Sequence, residues 1–258
     1  MQRSMVRSQH RPVVPPGRSP GRRGRLRRLH TALVAVVLTV VAGALLLAGA
    51  WQLTPGVGDA RNRVDARLAA HSGGPLTGAV PTRLAASLIA TEDSTFATNP
   101  GVDPRGVARA ARGVLTGQDQ GGSTLEQQLA KNLYEDGRHG PVERVAEVVL
   151  ALKLAHTWTK AQVLRMYLDD GYYGHGFYGV TAASKGYFGV APGDLTWAQS
   201  SLLAGLFQAP SAYDPLVHPG LAATRQAHVL DRLVAVGTLT RAEAADVGDQ
   251  PWGLPADG

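Results

Sequence analysis

The sequence predicts a mainly α-helical chain with one membrane-spanning helix near its start, and three observations carry that reading. Helix-start signals recur ahead of Ala/Leu-rich runs with helical spacing. Strand-type alternation is nowhere sustained, and no internal repeat is visible. An arginine-rich opening is followed by Thr31 to Ala50, an apolar run without a charge. At 1.5 Å per residue, twenty helical residues span a hydrocarbon layer of about 30 Å.

The chain has 258 residues, 44% of them hydrophobic and 6% aromatic, enough for one sizeable core or two small lobes of one. Zero cysteines exclude a disulfide scaffold, a thiol nucleophile and a zinc-thiolate centre. The formal charge of +6 suggests an anionic partner until its location is read. Residues 1–30 hold nine of the 26 basic side chains and no acid, which leaves 17 basic against 20 acidic residues in the rest, a net of −3. That balance excludes a basic nucleic-acid footprint.

Taken in order, residues 1–30 form a basic cytoplasmic tail and 31–50 the transmembrane helix. A cleavable signal peptide is the competing reading, but its apolar region normally runs about 7–15 residues. Residues 51–78 read as a stalk with a helix from about Gly58 to Ala70, residues 79–248 as the globular domain, and 249–258 as a flexible tail. Asp103-Pro104 opens a helix that Gly117 closes. Capping boxes are expected at Ser123 with Glu126, Thr159 with Gln162, Thr196 with Gln199 and Thr240 with Glu243. The eight histidines include no HxxxH-type pair, so no intrinsic metal cage is suggested.

Three stretches carry polar chemistry. In Leu88 to Phe96 an apolar helix runs into the adjacent carboxylates Glu92 and Asp93; a partly desolvated carboxylate there suits general acid/base work, and a solvated helix end is the plainer account. In Gly121 to Asn132 two glycines precede a helix N-terminus able to face an anion, and Gln127, Gln128 and Lys131 add donors and a cation. A Ser123/Glu126 capping box would explain part of that pattern. In Pro141 to Trp158 a helix sets Glu143, Arg144, Glu147 and Lys153 into Val, Leu and Ala, with Arg144 near Glu147.

In order, the chain carries Glu92-Asp93-x-x-Phe96 with Gly101 and Asp103, then Gly121-Gly122-Ser123-Thr124-x-x-Gln127-Gln128-x-x-Lys131-Asn132, then the helix bearing Glu147. Lys160-x-x-Val163-Leu164-x-x-Tyr167-Leu168 follows, with Tyr173-Gly174 and Ala182 to Gly189, and last Leu203 to Pro215 containing Gln208. Over about Val80 to Leu230 this resembles glycosyltransferase family 51, the peptidoglycan glycosyltransferase domain of class A penicillin-binding proteins and their monofunctional relatives. The resemblance implies a lysozyme-like, two-lobed α fold that polymerises lipid II into β-1,4 glycan with release of undecaprenyl pyrophosphate, by an inverting single displacement. It assigns catalysis to Glu92 and Glu147, and substrate binding to Asp93, Phe96, Ser123, Thr124, Gln127, Gln128, Lys131, Asn132, Arg144 and Gln208. No protein metal site is implied; a divalent cation, Mg or Mn, is the cofactor it admits, at the pyrophosphate. Expected partners are lipid II, the growing glycan, the membrane, transpeptidases and other wall-synthesis proteins.

Four positions depart from the family pattern: Asn99 stands for a histidine, Glu126 for Thr or Ser, Glu143-Arg144 for an Arg-Lys pair, and Asp169 for an asparagine. Two other classes stay open at this stage. A glycan-cleaving enzyme of lysozyme-like fold would also use a glutamate at a buried helix end, and a non-catalytic, membrane-anchored partner of wall synthesis would keep the fold alone.

The arginine cluster keeps the N-terminus cytoplasmic by the positive-inside rule, so residues after Trp51 lie outside. Protease added to intact spheroplasts is therefore expected to digest the chain from Trp51 onward; full protection would overturn this topology.

Overall fold

The computed structural model describes residues 22–106, 122–135, 137 and 140–255. The expected cytoplasmic tail up to residue 21, the Gly117 helix end, Gly121 and residues 256–258 lie outside them. The described residues are mainly helical, and their single β feature is an isolated antiparallel bridge between Tyr172 and Tyr178. The chain divides into two bodies, residues 1–48 and 49–258.

The first helix, α1 (Arg22–Leu53), contains the expected apolar run, and its Leu29–Leu53 stretch has mean hydropathy 2.6. Its leucines and valines are exposed all round, from Leu29 to Leu47. A helix apolar on every face has no polar side to give to water, and its length and composition suffice to cross a membrane.

The second body is built from α2 (Ala60–Ala70), α3 (Thr82–Glu92), α4 (Leu125–Tyr134), α5 (Pro141–Thr157), α6 (Lys160–Asp170), α7 (Val180–Phe188), α8 (Trp197–Leu206), α9 (Pro219–Ala235) and α10 (Arg241–Gly248). Two packing groups emerge. Helices α3, α8, α9 and α10 pack on one another, and α2, α4, α5, α6 and α7 form the second set. Leu84, Leu88, Leu202, Leu203, Val229 and Leu233 fill the first group; Val64, Leu68, Leu125, Leu129, Leu154 and Leu168 fill the second. Aromatic rings close the seam: Phe207, just after α8, stacks on Tyr167 of α6 at 4.9 Å and meets the edge of Tyr173 at 5.0 Å.

The predicted helix starts are largely as read. Thr159/Gln162, Thr196/Gln199 and Thr240/Glu243 form reciprocal boxes at α6, α8 and α10. Asp103 accepts from the amides of Arg105 and Gly106 at 2.9 Å, the expected N-cap. The box at α4 is shifted by one residue: Thr124 and Gln127 form it, not Ser123 and Glu126.

Two segments expected to be loose are packed. The region read as a stalk inserts Val57, Ala60, Val64 and Leu68 into the core, at a spacing that gives α2 one apolar face. Trp158 donates its indole N–H to the Val57 carbonyl at 2.9 Å, and the nearly buried Lys153 donates to the carbonyls of Thr54 and Pro55 at 2.8 and 3.1 Å. At the other end, residues 249–255 dock rather than fray. The Trp252 carbonyl accepts from Gln199 at 3.0 Å, and its indole donates to Gln226 at 2.8 Å.

Gly101 shows how tightly the loop after α3 is held. Its φ is +103°, and a Cβ there would meet the Ala151 carbonyl at 2.6 Å and the Ala155 side chain at 2.8 Å. Gly101→Ala is therefore expected to cost about 2–4 kcal/mol, combining overpacking with a left-handed backbone. Gly78→Ala has a positive φ but open space around it, and is expected to cost about 1–2 kcal/mol. Denaturant midpoints of the two variants check the difference.

Candidate active site

The site is assembled at helix ends. Helix α3 stops at Glu92 because Asp93, at φ −150° and ψ 80°, leaves helical space. The Asp93 carboxylate is then consumed locally. It accepts from the Thr95 amide at 3.1 Å and hydroxyl at 2.9 Å, from the Asn99 amide at 3.0 Å, and from the Leu125 N–H at 3.2 Å. Leu125 is the first residue of α4, so the helix N-terminus expected to receive a ligand anion is met by the protein's own Asp93. Asp93 is buried, ties α3 to α4, and is also among the residues that line the neighbouring cleft.

A cleft of about 1200 Å³ lies between the two helix groups. One wall carries Glu92, Phe207, Gln208 and the α9 residues Arg225, His228 and Arg232; the other carries Ser123, Gln127, Gln128, Lys131 and Asn132 from the α4 region and Glu143, Arg144 and Glu147 from α5. Glu92 and Glu147 thus line one cavity from different helix groups. Glu92 accepts from Gln128 at 3.3 Å and pairs with Arg225 at 3.5 Å. The Tyr167 hydroxyl donates to the Gln128 side-chain carbonyl at 2.6 Å, which turns the Gln128 NH₂ toward Glu92. Glu147 accepts from Gln127 at 3.0 Å. Burial and the neighbouring Glu135 push its carboxyl above the ordinary value, with Lys131, Gln127 and Arg144 pulling the other way.

The family-implied site residues divide by what they touch. Gln128 and Gln127 hold the two glutamates, while exposed Ser123, Lys131, Arg144 and Gln208 present their side chains in the cleft. Thr124 is buried, capping α4 and donating to the Gly101 carbonyl at 2.6 Å. Asn132 reaches the rim, but its amide donates to Asp170 at 2.9 Å. Phe96 lies in the core beneath the loop, its ring 4.7 Å from the Lys160 ammonium, and does not line the cleft. Arg225, His228 and Arg232 were missed, although their i, i+3, i+7 spacing is a readable stripe on one helix face.

The four departures acquire partners. Asn99 donates to Asp93 and accepts from Lys160 at 2.9 Å. Glu126 is fully buried and pairs with Lys160 at 2.6 Å. Asp169 accepts from the Leu76 amide at 2.8 Å and from Arg61 at 2.6 Å, fixing α2 to α6. Glu143 sits in the first turn of α5, its carboxylate folded back over Gly140, where the helix dipole favours negative charge.

Among the described residues no group of three or more His, Asp or Glu side chains converges as a metal cage. Glu147 has a second carboxylate, Glu135, as well as Lys131 and Arg144 around it, so its surroundings combine two acids with two cations.

Gln127 has two duties, so its loss is expected to read out twice. Gln127→Ala should cost about 1 kcal/mol as a cap. It should also raise the Glu147 carboxyl further, because the amide favours the charged form. Stability tied to a raised carboxyl is present below its unfolded value and lost as pH rises through the folded one. The deficit is therefore expected to be larger at neutral pH than in acid. Thr196→Ala, which breaks a capping box outside the cleft whose partner, Gln199, does not titrate, is expected to cost similar stability without that pH dependence. Chemical denaturation at several pH values separates the two.

The transglycosylase family profile matches residues 72–234. Penicillin-binding protein 1A of Mycobacterium tuberculosis is 40% identical over 184 residues, covering 69% of this chain and 21% of that protein. Penicillin-binding protein 1F of Bacillus subtilis is 36% identical over 177 residues, covering 68% and 25%. The chain thus spans about a fifth to a quarter of these relatives. A protein of Cupriavidus necator that carries the transglycosylase name is 33% identical over 225 residues, covering 84% of this chain and 95% of that protein. The chain belongs to the transglycosylase family, glycosyltransferase family 51, and its second body contains a transglycosylase domain.

Proposed function

We propose that the cleft polymerises lipid II, joining its disaccharide to a growing chain as β-1,4 glycan and releasing undecaprenyl pyrophosphate. The observation that carries this reading is a pair of glutamates in one cleft with different companions: Glu92 beside Arg225 and reached by Gln128 of α4, and Glu147 with Lys131 and Arg144 among its neighbours. At about 1200 Å³ the cleft exceeds the usual small-molecule pocket, which suits sugar substrates carrying a peptide.

Glu92 acts as general base. It takes the proton of the acceptor sugar's 4-hydroxyl as that oxygen attacks the anomeric carbon of the chain, while the bond to pyrophosphate breaks on the opposite face. One displacement inverts the α-linked donor to a β linkage. The leaving group needs positive charge more than a proton, and Lys131 and Arg144 supply it in a site partly shielded from water. Glu147, oriented by Gln127, organises that donor wall. The apolar α1 anchors the domain to the plasma membrane with the cleft on the outer side, where a lipid-linked substrate is at hand. Transpeptidases and other wall-synthesis proteins are its expected partners.

Glu92→Gln keeps shape and one acceptor but cannot take the proton. Polymerisation of lipid II is expected to fall about 10²–10⁴-fold with fold and substrate binding retained. Glycan polymer formed at the parent rate would remove Glu92 as base, and shortening of glycan by the parent protein would favour a hydrolytic enzyme.

A further inference from the structure

Behind the Glu92 wall a line of side chains runs from the core to the end of α3. Glu126 is fully buried, and one of its oxygens accepts from the Lys160 ammonium at 2.6 Å. The same ammonium donates to Asn99 Oδ1 at 2.9 Å and sits 4.7 Å above the Phe96 ring, so each of its three N–H bonds has a receiver. Asn99 turns its NH₂ to Asp93 at 3.0 Å while its Oδ1 also accepts from the Gly101 amide at 2.9 Å. Asp93 holds the first amide of α4 and directly follows Glu92.

We infer that Glu126, Lys160 and Asn99 are positioning residues that fix Asp93, and through it hold Glu92 in register with the start of α4. Two features distinguish this from a pair that merely stabilises the core. Lys160 is the first residue of α6, where the helix dipole disfavours a cation, so its own helix gives no reason for the charge. A buried ion pair is also a weak stabiliser, since desolvation offsets much of its attraction. Burial indeed pushes the Glu126 carboxyl above its ordinary value despite Lys160. The kinetic consequence rests on Glu92 being the base of the reaction proposed above.

The experiment compares the full-length protein with Lys160→Met and with the double variant Glu126→Met/Lys160→Met. Lys160→Met leaves a buried carboxylate without its cation and is expected to lose stability. The double variant removes both charges together and is expected to recover a melting temperature close to the parent's. If the chain positions Glu92, the double variant remains slow: kcat on lipid II falls about 10- to 100-fold, the scale of a small misplacement at a reacting centre, with KM within about twofold. Hydrogen exchange of the Thr95, Gly101 and Leu125 amides should quicken in the double variant, while that of Glu243 in the α10 cap stays as in the parent. Parent-like kcat in the double variant would overturn the proposal, and so would unchanged protection of those three amides. An inactive parent would sink the lipid II reading instead, and the exchange measurement would still judge the chain.

Discussion

One carboxylate, Asp93, fixes the relation between the two helices that meet at the cleft. It breaks α3, takes the first amide of α4, and is held by Thr95 and Asn99 in the loop between. A helix N-terminus carries unpaired N–H groups and the positive end of a dipole, and a buried carboxylate needs both donors and positive charge. Each solves the other's problem, so the contact is specific in direction as well as favourable. Several polar groups of the cleft are referred to it: Glu92 is the residue before, and Gln127, Gln128 and Lys131 lie on the helix that Asp93 begins.

Around that junction the cleft is arranged as two electrostatic environments. Arg225 accompanies Glu92 on one wall, and Lys131 with Arg144 accompanies Glu147 on the other. The two glutamines are spent inside the protein, each orienting one glutamate, which leaves the exposed cations and Gln208 to meet whatever enters. Amides suit this work because they carry a donor and an acceptor on one rigid plane. Gln128 uses both ends, toward Glu92 and Tyr167, and Gln127 uses both toward Glu147 and the Thr124 backbone.

Much of this was legible in the sequence because it is local. Three of four capping boxes need only residues three apart, and the helix class follows from spacing that any window reveals. The fourth box failed for an instructive reason. Ser123-x-x-Glu126 and Thr124-x-x-Gln127 both fit the pattern, and local chemistry cannot choose between them. The choice is made by Asp93, 32 residues away from Leu125, and by Lys160, 34 residues away from Glu126, which draws that glutamate into the core. Phe96 misled in a similar way, since a motif residue can support a loop from below without touching a ligand. Arg225 lies 133 residues from Glu92, and nothing near either residue in sequence announces the pair. The helix at Ala60–Ala70 was legible, but the docking of Val57 and Trp252 was not, because their partners lie across the fold.

The attachment of residues 54–57 to α5 has a mechanical meaning. Lys153 and Trp158 grip three backbone carbonyls of the incoming chain, at Thr54, Pro55 and Val57, and Lys153 lies less than two helical turns from Glu147 on one continuous helix. Tension on this segment is borne first by α5, a stiff rod, and hence by the wall that holds Glu147. The opposite wall, with Glu92 and α9, feels it at second hand, through contacts such as the aromatic seam at Tyr167 and Phe207, the Gln128–Glu92 hydrogen bond and the Asp93 tie. A load applied at the entry point therefore acts on the two faces of the cleft unequally, as leverage between them.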